Sequence, residues 1–243
     1  SGPKPWTFEI ENEKQSLFYF GANHSHDPND PQYPKLKEYW QHFLEKTKDK
    51  EKIVLVEIEL RDLAKNEEAA IKHGAEGDFI TFIAHQENVS VSCPDMSEKE
   101  LFEQLPEVSE EEIILLFFLH YLDVFYRNRG PKPDFNKAIQ QWIDYQSKKR
   151  PSTSQNLSVN YLKNLYKKVL GKELDENDSF NKLVNPNAIG TRINEVARLR
   201  SDLRDTKVAS EIVHYWQEGK SIFVVFGSGH LIIQRPALEK ILK

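Results

Sequence analysis

Cysteine is almost absent from this chain, since Cys93 is the single example among 243 residues. One thiol excludes a disulfide framework within the chain, and a chain of this length can bury a core without disulfides or a structural metal. The low cysteine content fits a reducing compartment such as the cytoplasm, although export stays open. Because Cys93 ends an apolar run and precedes a proline, we expect an inert core thiol rather than a nucleophile.

An excess of positive charge is also missing, because the formal net charge is −5 and the pI is about 5.9. Proteins that bind nucleic acids through phosphate contacts carry a basic surface, so the composition argues against that class. Long hydrophobic runs are missing too, since His120 and Asp123 interrupt the longest apolar segment, 113–125. A membrane span needs roughly 20 apolar residues, and we therefore expect none in this sequence.

The patterns that are present alternate between strands and helices. Residues 6–21 place apolar and aromatic residues around a polar turn, which predicts a β-hairpin. Continuous β-branched and aromatic runs, typical of interior parallel strands, occur at 52–60, 89–93 and 221–230. Helical spacing occurs at 34–48, 66–74, 77–86, 188–219 and 235–242. This order predicts an α/β fold with a central, largely parallel sheet and flanking helices.

The stretch from about residue 97 to 185 differs from the rest, because helical patterns follow one another without a strand. The predicted helices of this stretch are 110–128, 135–148 and 158–170. We interpret the chain as a single α/β domain over 1–243, with a helical insertion at about 97–185 that caps the site.

Two buried strands of the predicted sheet run into the same short pattern, Gly-x-x-His. Gly21 and His24 follow the first of them, and Gly227 and His230 follow the last. Groups just beyond the carboxyl ends of parallel strands line the ligand crevice of an open sheet. We therefore expect the two histidines to meet there, although either motif alone is more often a structural turn.

A carboxylate follows a third buried strand. Glu57 comes directly after Val54, Leu55 and Val56, where an ionised group is costly unless it is paired or bound to a metal. Two histidines and one glutamate are a familiar ligand set for a divalent ion that keeps an open position for water. The alternative for Glu57 is a buried structural ion pair.

This layout resembles the TraB/PrgY–Tiki superfamily, with the erythromycin esterases and the haem-binding ChaN proteins as more distant relatives. The resemblance covers about 1–95 and 190–243. It consists of a hairpin that runs into Gly-x-x-His, a glutamate after the next core strand, and an Arg-Asp helix at Arg204 and Asp205 that leads to the second Gly-x-x-His.

Tiki proteins are described as metal-dependent proteases, so the resemblance implies a hydrolase of a peptide, amide or ester bond in a peptide or small-molecule substrate. It implies a divalent ion, Mn, Co or Zn, held by His24, Glu57 and His230. Asp205 would be a further ligand or would orient a histidine, and Arg204 would steady an oxyanion. The alternative for Arg204 and Asp205 is a solvated or intrahelical ion pair.

Other functions stay open at this point. A metal-independent esterase would use a histidine as base, with Glu57 orienting it, and a binding module would hold haem or another ligand without turnover. His26 is either a further ligand or acid–base group, or an exposed loop histidine. Glu76 either caps the helix that follows it or faces the crevice.

Overall fold

The structure is a computed structural model that describes residues 6–57, 60–96, 98–127, 134–149 and 157–243. The chain divides into two compact units, one made of Ser1–Met96 and Arg204–Lys243 and the other of Ser97–Leu203. Within the described residues, all strands belong to the first unit, and the regular elements of the second unit are helices.

The strands of the first unit form one five-stranded sheet with the order β1-β2-β5-β3-β4. The strands are β1 (Trp6–Glu11), β2 (Ser16–Ala22), β3 (Lys52–Val56), β4 (Ser90–Ser92) and β5 (Ser221–Gly227). β1 and β2 pair in antiparallel fashion as a hairpin, whereas the other three pairings are parallel. The predicted α/β fold with its largely parallel sheet and amino-terminal hairpin is thus confirmed. Positions 58 and 59 of the predicted strand 52–60 lie outside the described residues.

The helices follow the order expected for strands joined by crossovers. They are α1 (Gln32–Lys46), α2 (Glu67–Gln86), α3 (Glu98–Gln104), α4 (Glu110–Arg127), α5 (Phe135–Lys149), α6 (Val159–Leu170), α7 (Phe180–Leu183), α8 (Arg192–Gln217) and α9 (Ser228–Leu242). Within the described ranges, no helix has the length and apolar character needed to cross a membrane.

Helices cover both faces of the sheet. On one face, α1 and α2 bury Phe43 and Phe79 against Phe18 of β2. On the other face, Ile212 of α8 and residues of α9 pack around Tyr19, the next residue of β2. Because both faces are covered, β2 and β5 are buried along their whole length, which explains their nearly continuous apolar sequences.

The second unit has its own helix packing. Phe118 of α4 lies against Trp142 of α5, with ring centroids 5.2 Å apart. Arg192 at the start of α8 donates from Nε to Glu112 of α4 at 2.7 Å. This unit contains the predicted helices of the 97–185 block and continues to Leu203 inside α8.

The end of β5 differs from the prediction. The strand stops at Gly227 rather than at residue 230, and α9 begins at Ser228 rather than at 235. His230 therefore lies in the first turn of α9, and Pro236 lies inside this helix. Burial of Leu231 and Leu238 on one side of α9 offsets the hydrogen bond that the proline cannot donate.

Candidate functional site

The carboxyl ends of β2, β5 and β3 lie side by side, because β5 pairs with both of the other strands. Glu57 follows β3 at this edge, and its side chain is 18% exposed. Its Oε2 accepts a hydrogen bond from the backbone N–H of Gly227 at 2.7 Å, and its Oε1 accepts one from Arg204 Nη2 at 3.2 Å. Glu57 is thus paired and hydrogen-bonded, as a buried carboxylate must be.

Two imidazoles flank the Glu57 carboxylate. His24 Nε2 lies 3.5 Å from Oε2, and His230 Nε2 lies 3.4 Å from Oε1. Both separations are longer than a good hydrogen bond and correspond to ion pairs when the rings are protonated. The structure therefore brings together His24, Glu57 and His230, the three residues that the strand-end argument selected.

Each imidazole also has a second carboxylate at its other ring nitrogen. Asp205 Oδ1 lies 2.7 Å from His230 Nδ1, which is a hydrogen bond. Glu76 Oε2 lies 3.6 Å from His24 Nδ1, and Glu76 Oε1 accepts a hydrogen bond from the backbone N–H of Ser25 at 2.9 Å. Of the two alternatives for Glu76, the structure places its buried carboxylate at the crevice.

Arg204 is bound between two carboxylates. Its Nε donates to Asp95 Oδ1 at 2.7 Å, its Nη2 donates to Asp95 Oδ2, and the same Nη2 reaches Glu57. The Arg204 side chain is 13% exposed. These bonds hold the Arg204 guanidinium beside Glu57. Asp95 was absent from the predicted site, although it follows β4, another parallel strand of the same sheet.

The charges of the site depend on one another. Burial raises the pKa of Glu57, but His230, His24 and Arg204 outweigh it and hold that pKa well below the usual range. Burial lowers the pKa of His230, but Asp205 and Glu57 outweigh it and raise the pKa to about 9. The Glu76 carboxylate raises the pKa of His24 against the opposing effect of burial. At neutral pH, Glu57 is therefore ionised and His230 is a cation.

A cavity of about 280 Å³ lies at this edge, and its lining includes His24, Glu57, Ala75 and Glu76. His24 and Ala75 both have left-handed backbone, with φ of +53° and +52°. For a residue with a Cβ this conformation costs about 1–2 kcal/mol, and such strain is concentrated at functional sites. The cavity is thus bordered by two strained residues, one of them the predicted histidine.

His26 also lines the cavity but has a different environment. The residue is exposed, and its Nδ1 lies 3.2 Å from the backbone carbonyl oxygen of Lys72. The structure therefore places His26 among the lining residues, while the ring contacts with Glu57 come from His24 and His230.

Gly227 provides the space in which His24 and Glu57 approach each other. A Cβ at this position would lie 2.7 Å from His24 Nε2 and 3.3 Å from Glu57 Oε2. Because Gly227 has φ of −54° and ψ of 143°, a conformation open to any residue, the site needs its small size rather than its conformational freedom.

The chemistry of the donor set tests the predicted metal. The part of the chain that the structure describes contains no group of three or more His, Cys, Asp or Glu residues that could hold a metal ion. The two rings face different oxygens of Glu57, and the Arg204 guanidinium lies 3.2 Å from one of these oxygens. A positive charge at that distance weakens the attraction of the carboxylate for a divalent cation. The residues meet as ion pairs in this structure, and the predicted metal stays a prediction.

The arrangement can bind a proton, move it and stabilise negative charge. An exposed imidazole, His24, borders the cavity beside an ionised carboxylate, and the cationic His230 lies on the other oxygen of that carboxylate. Among the described residues that line the cavity, none carries a hydroxyl or a thiol, so the nucleophiles of serine and cysteine hydrolases are not part of this lining.

No protein-family model matches the chain, nor does any curated protein or solved structure, and the resemblance to the TraB/PrgY–Tiki superfamily accordingly stays a prediction.

Proposed function

We propose that this chain is a hydrolase that adds water to an ester or amide carbonyl in the cavity beside Glu57, without a metal ion. The observation that carries this proposal is the approach of two imidazoles to one carboxylate, at 3.4 and 3.5 Å, at the edge where three strands end. Paired acid–base groups with opposed environments are typical of catalytic sites. The cavity volume of about 280 Å³ suits a small molecule or a short part of a peptide.

His24 is the general base of this proposal. Its side chain is 58% exposed, so a ring nitrogen can exchange its long contact with a carboxylate for a water molecule. Neutral His24 accepts a proton from water while the water oxygen bonds to the carbonyl carbon and the carbonyl electron pair moves to its oxygen. When this tetrahedral species collapses, the bond to the leaving oxygen or nitrogen breaks, and His24 returns the proton to that atom.

The other residues prepare the charge around this step. The His230 cation, whose own side chain is 16% exposed, supplies positive charge that favours the oxyanion. Asp205 holds the ring through its hydrogen bond to Nδ1, and Arg204 holds Glu57 in place. Asp205 and Arg204 are thus positioning residues in this proposal.

A pair of histidine variants tests the proposal. We expect His24→Ala to hydrolyse a chromogenic ester and amide library about 10²–10⁴-fold more slowly than the parent protein, because it lacks the base. His26→Ala is the matched control, since His26 lines the same cavity only two positions away, and we expect it to keep the parent rate. Thermal unfolding followed by circular dichroism checks that both variants are folded.

Metal analysis separates this route from the metal-dependent one. We expect the purified protein to contain no stoichiometric Mn, Co or Zn and to keep its rate in a chelator. A stoichiometric metal whose removal abolishes hydrolysis would instead support the metal-dependent hydrolase implied by the resemblance. Equal rates in His24→Ala and the parent protein would overturn the assignment of His24 in either route.

A further inference from the structure

A chain of buried hydrogen bonds leads away from His230 into the core. His230 Nδ1 and Gln234 Nε2 both bond to Asp205 Oδ1, at 2.7 and 2.8 Å. Gln234 Oε1 accepts a hydrogen bond from the Tyr19 hydroxyl at 3.0 Å. Tyr19, Gln234 and Asp205 are 0%, 2% and 5% exposed, so water has little access to these bonds.

The direction of every bond in this chain follows from the groups involved. An ionised carboxylate only accepts, so the amide must present Nε2 to Asp205, and Oε1 is then the atom that faces Tyr19. Because Oε1 only accepts, the tyrosine hydroxyl must donate. His230 shares the same carboxylate oxygen as Gln234, so its Nδ1 must carry a proton.

We propose that Tyr19 and Gln234 are positioning residues that fix the place of Asp205 Oδ1 and thereby the Nδ1–H tautomer of His230. In this tautomer the neutral ring has its lone pair on Nε2, the atom that lies 3.4 Å from Glu57. Gln234 follows His230 by four residues on α9, so both side chains reach Asp205 from the same side of that helix. The inference deepens the proposed function. Only the expected effect on the rate rests on that function, whereas the tautomer of His230 does not.

The role of Gln234 becomes measurable when Asp205 loses its charge. In Asp205→Asn, the amide could turn either its oxygen or its nitrogen toward His230 Nδ1. Gln234 Nε2 requires an acceptor at that place, so it keeps the oxygen of residue 205 there and preserves the Nδ1–H tautomer. When Gln234→Leu is added, Nε2 of Gln234 no longer requires an acceptor there, and we expect the residue 205 amide to turn its NH₂ group toward Nδ1, which gives the ring the Nε2–H tautomer.

The experiment is ¹⁵N NMR of the histidine rings at alkaline pH, where the His230 ring is neutral, with the His230 signals assigned by their loss in His230→Ala. We expect a single Nδ1–H signal set in Asp205→Asn and a shift of the proton to Nε2, in part or all of the population, in Asp205→Asn/Gln234→Leu. Asp205→Asn/Arg235→Leu is the matched control, because Arg235 is the exposed neighbour of Gln234, and we expect it to match Asp205→Asn.

Two results would overturn the inference: loss of the Nδ1–H signals in Asp205→Asn alone, or their full retention in the double variant. If the double variant does not fold, Asp205→Asn/Tyr19→Phe replaces it. Compared with Asp205→Asn, this variant lacks only the Tyr19 hydroxyl, which orients the Gln234 amide. In the otherwise native protein, we expect Gln234→Leu to lower kcat while KM stays unchanged, because Asp205 then holds the cationic His230 ring less firmly in place. If the parent protein hydrolyses nothing, the proposed function fails, but the NMR result still decides the tautomer.

Discussion

A single methyl group at position 227 provides a sharp test of the site geometry. In Gly227→Ala, the new Cβ would lie 2.7 Å from His24 Nε2, whereas ordinary contacts begin at 3.4 Å, so the ring must move by about 0.7 Å. Glu57 Oε2, at 3.3 Å from the same Cβ, is also crowded. The backbone N–H that bonds to Glu57 is kept in alanine, so the substitution acts through the volume of the methyl group alone.

We expect Gly227→Ala to have a large effect on activity and a small effect on stability. A displacement near 1 Å at a reacting group can cost about 10²-fold in rate, so we expect a loss of that order in kcat. The backbone conformation of Gly227 suits alanine, and a compatible Gly→Ala change stabilises a protein by about 0.4–1 kcal/mol. Since the crowded ring can move toward solvent, we expect the free energy of unfolding to stay within about 1 kcal/mol of the parent value.

Two other glycines serve as controls with defined outcomes. A Cβ at Gly229 meets nothing within 4 Å, so Gly229→Ala in the first turn of α9 should keep the rate and gain up to about 1 kcal/mol of stability. A Cβ at Gly21 lies 3.0 Å from the backbone Cα of Ser228, which cannot move away alone. Gly21→Ala should therefore lose about 1–3 kcal/mol through overpacking.

The assays are kcat on an ester from the library, denaturant unfolding, and NMR titration of the His24 ring. Because Glu76 and, to a lesser degree, Glu57 raise the pKa of His24, displacement of the ring from these carboxylates should lower this pKa in Gly227→Ala. A Gly227→Ala protein with the parent rate and an unchanged His24 titration would refute the geometric reasoning. The NMR titration of His24 can be interpreted without knowing the substrate.

The remaining predictions concern charge. Because the His230 pKa is raised to about 9, the rate should fall above about pH 9 as this ring loses its proton, and Asp205→Asn should move that alkaline limb to lower pH; an unchanged limb in the pH–rate profile would contradict the role given to Asp205. The same raised pKa contributes stability that is complete below the ordinary value of 6.5 and is lost as the pH rises toward about 9, which denaturant unfolding at several pH values measures. Arg204→Met leaves two carboxylates without their shared cation and should cost about 3–5 kcal/mol in unfolding free energy. Arg235→Met breaks an exposed pair within one helix and a cation–π contact with the Phe8 ring, and it should cost no more than about 1.5 kcal/mol. Equal losses in the two variants would contradict the larger contribution expected of the buried pair.

The predicted convergence of the site depended on strand direction, which the sequence pattern reveals. Continuous apolar runs indicated parallel interior strands, and parallel strands bring their carboxyl ends to one edge. This argument selected His24, Glu57 and His230, which the structure places within ion-pair distance. Applied to β4 as well, the same argument would have found Asp95, since it follows that short strand by three residues.

Other parts of the site depend on features that a periodic pattern does not contain. Glu76 reaches His24 because α2 has non-helical backbone at Gly74 and Ala75, which redirects the residues that follow. The sequence indicated a break at Gly74, but not the direction in which the chain resumes. No sequence pattern indicated Gln234, because its role depends on a tyrosine that is 215 positions away in sequence.

The left-handed backbone of His24 sets stability and chemistry against each other at a single position. Glycine adopts this conformation without steric cost, and asparagine tolerates it better than most residues. A library of variants enriched only for heat resistance should therefore drift toward these two residues at position 24 and lose the imidazole. Enrichment for turnover should keep the histidine despite the lower melting temperature. Selection for heat resistance and selection for turnover should therefore yield different residues at position 24.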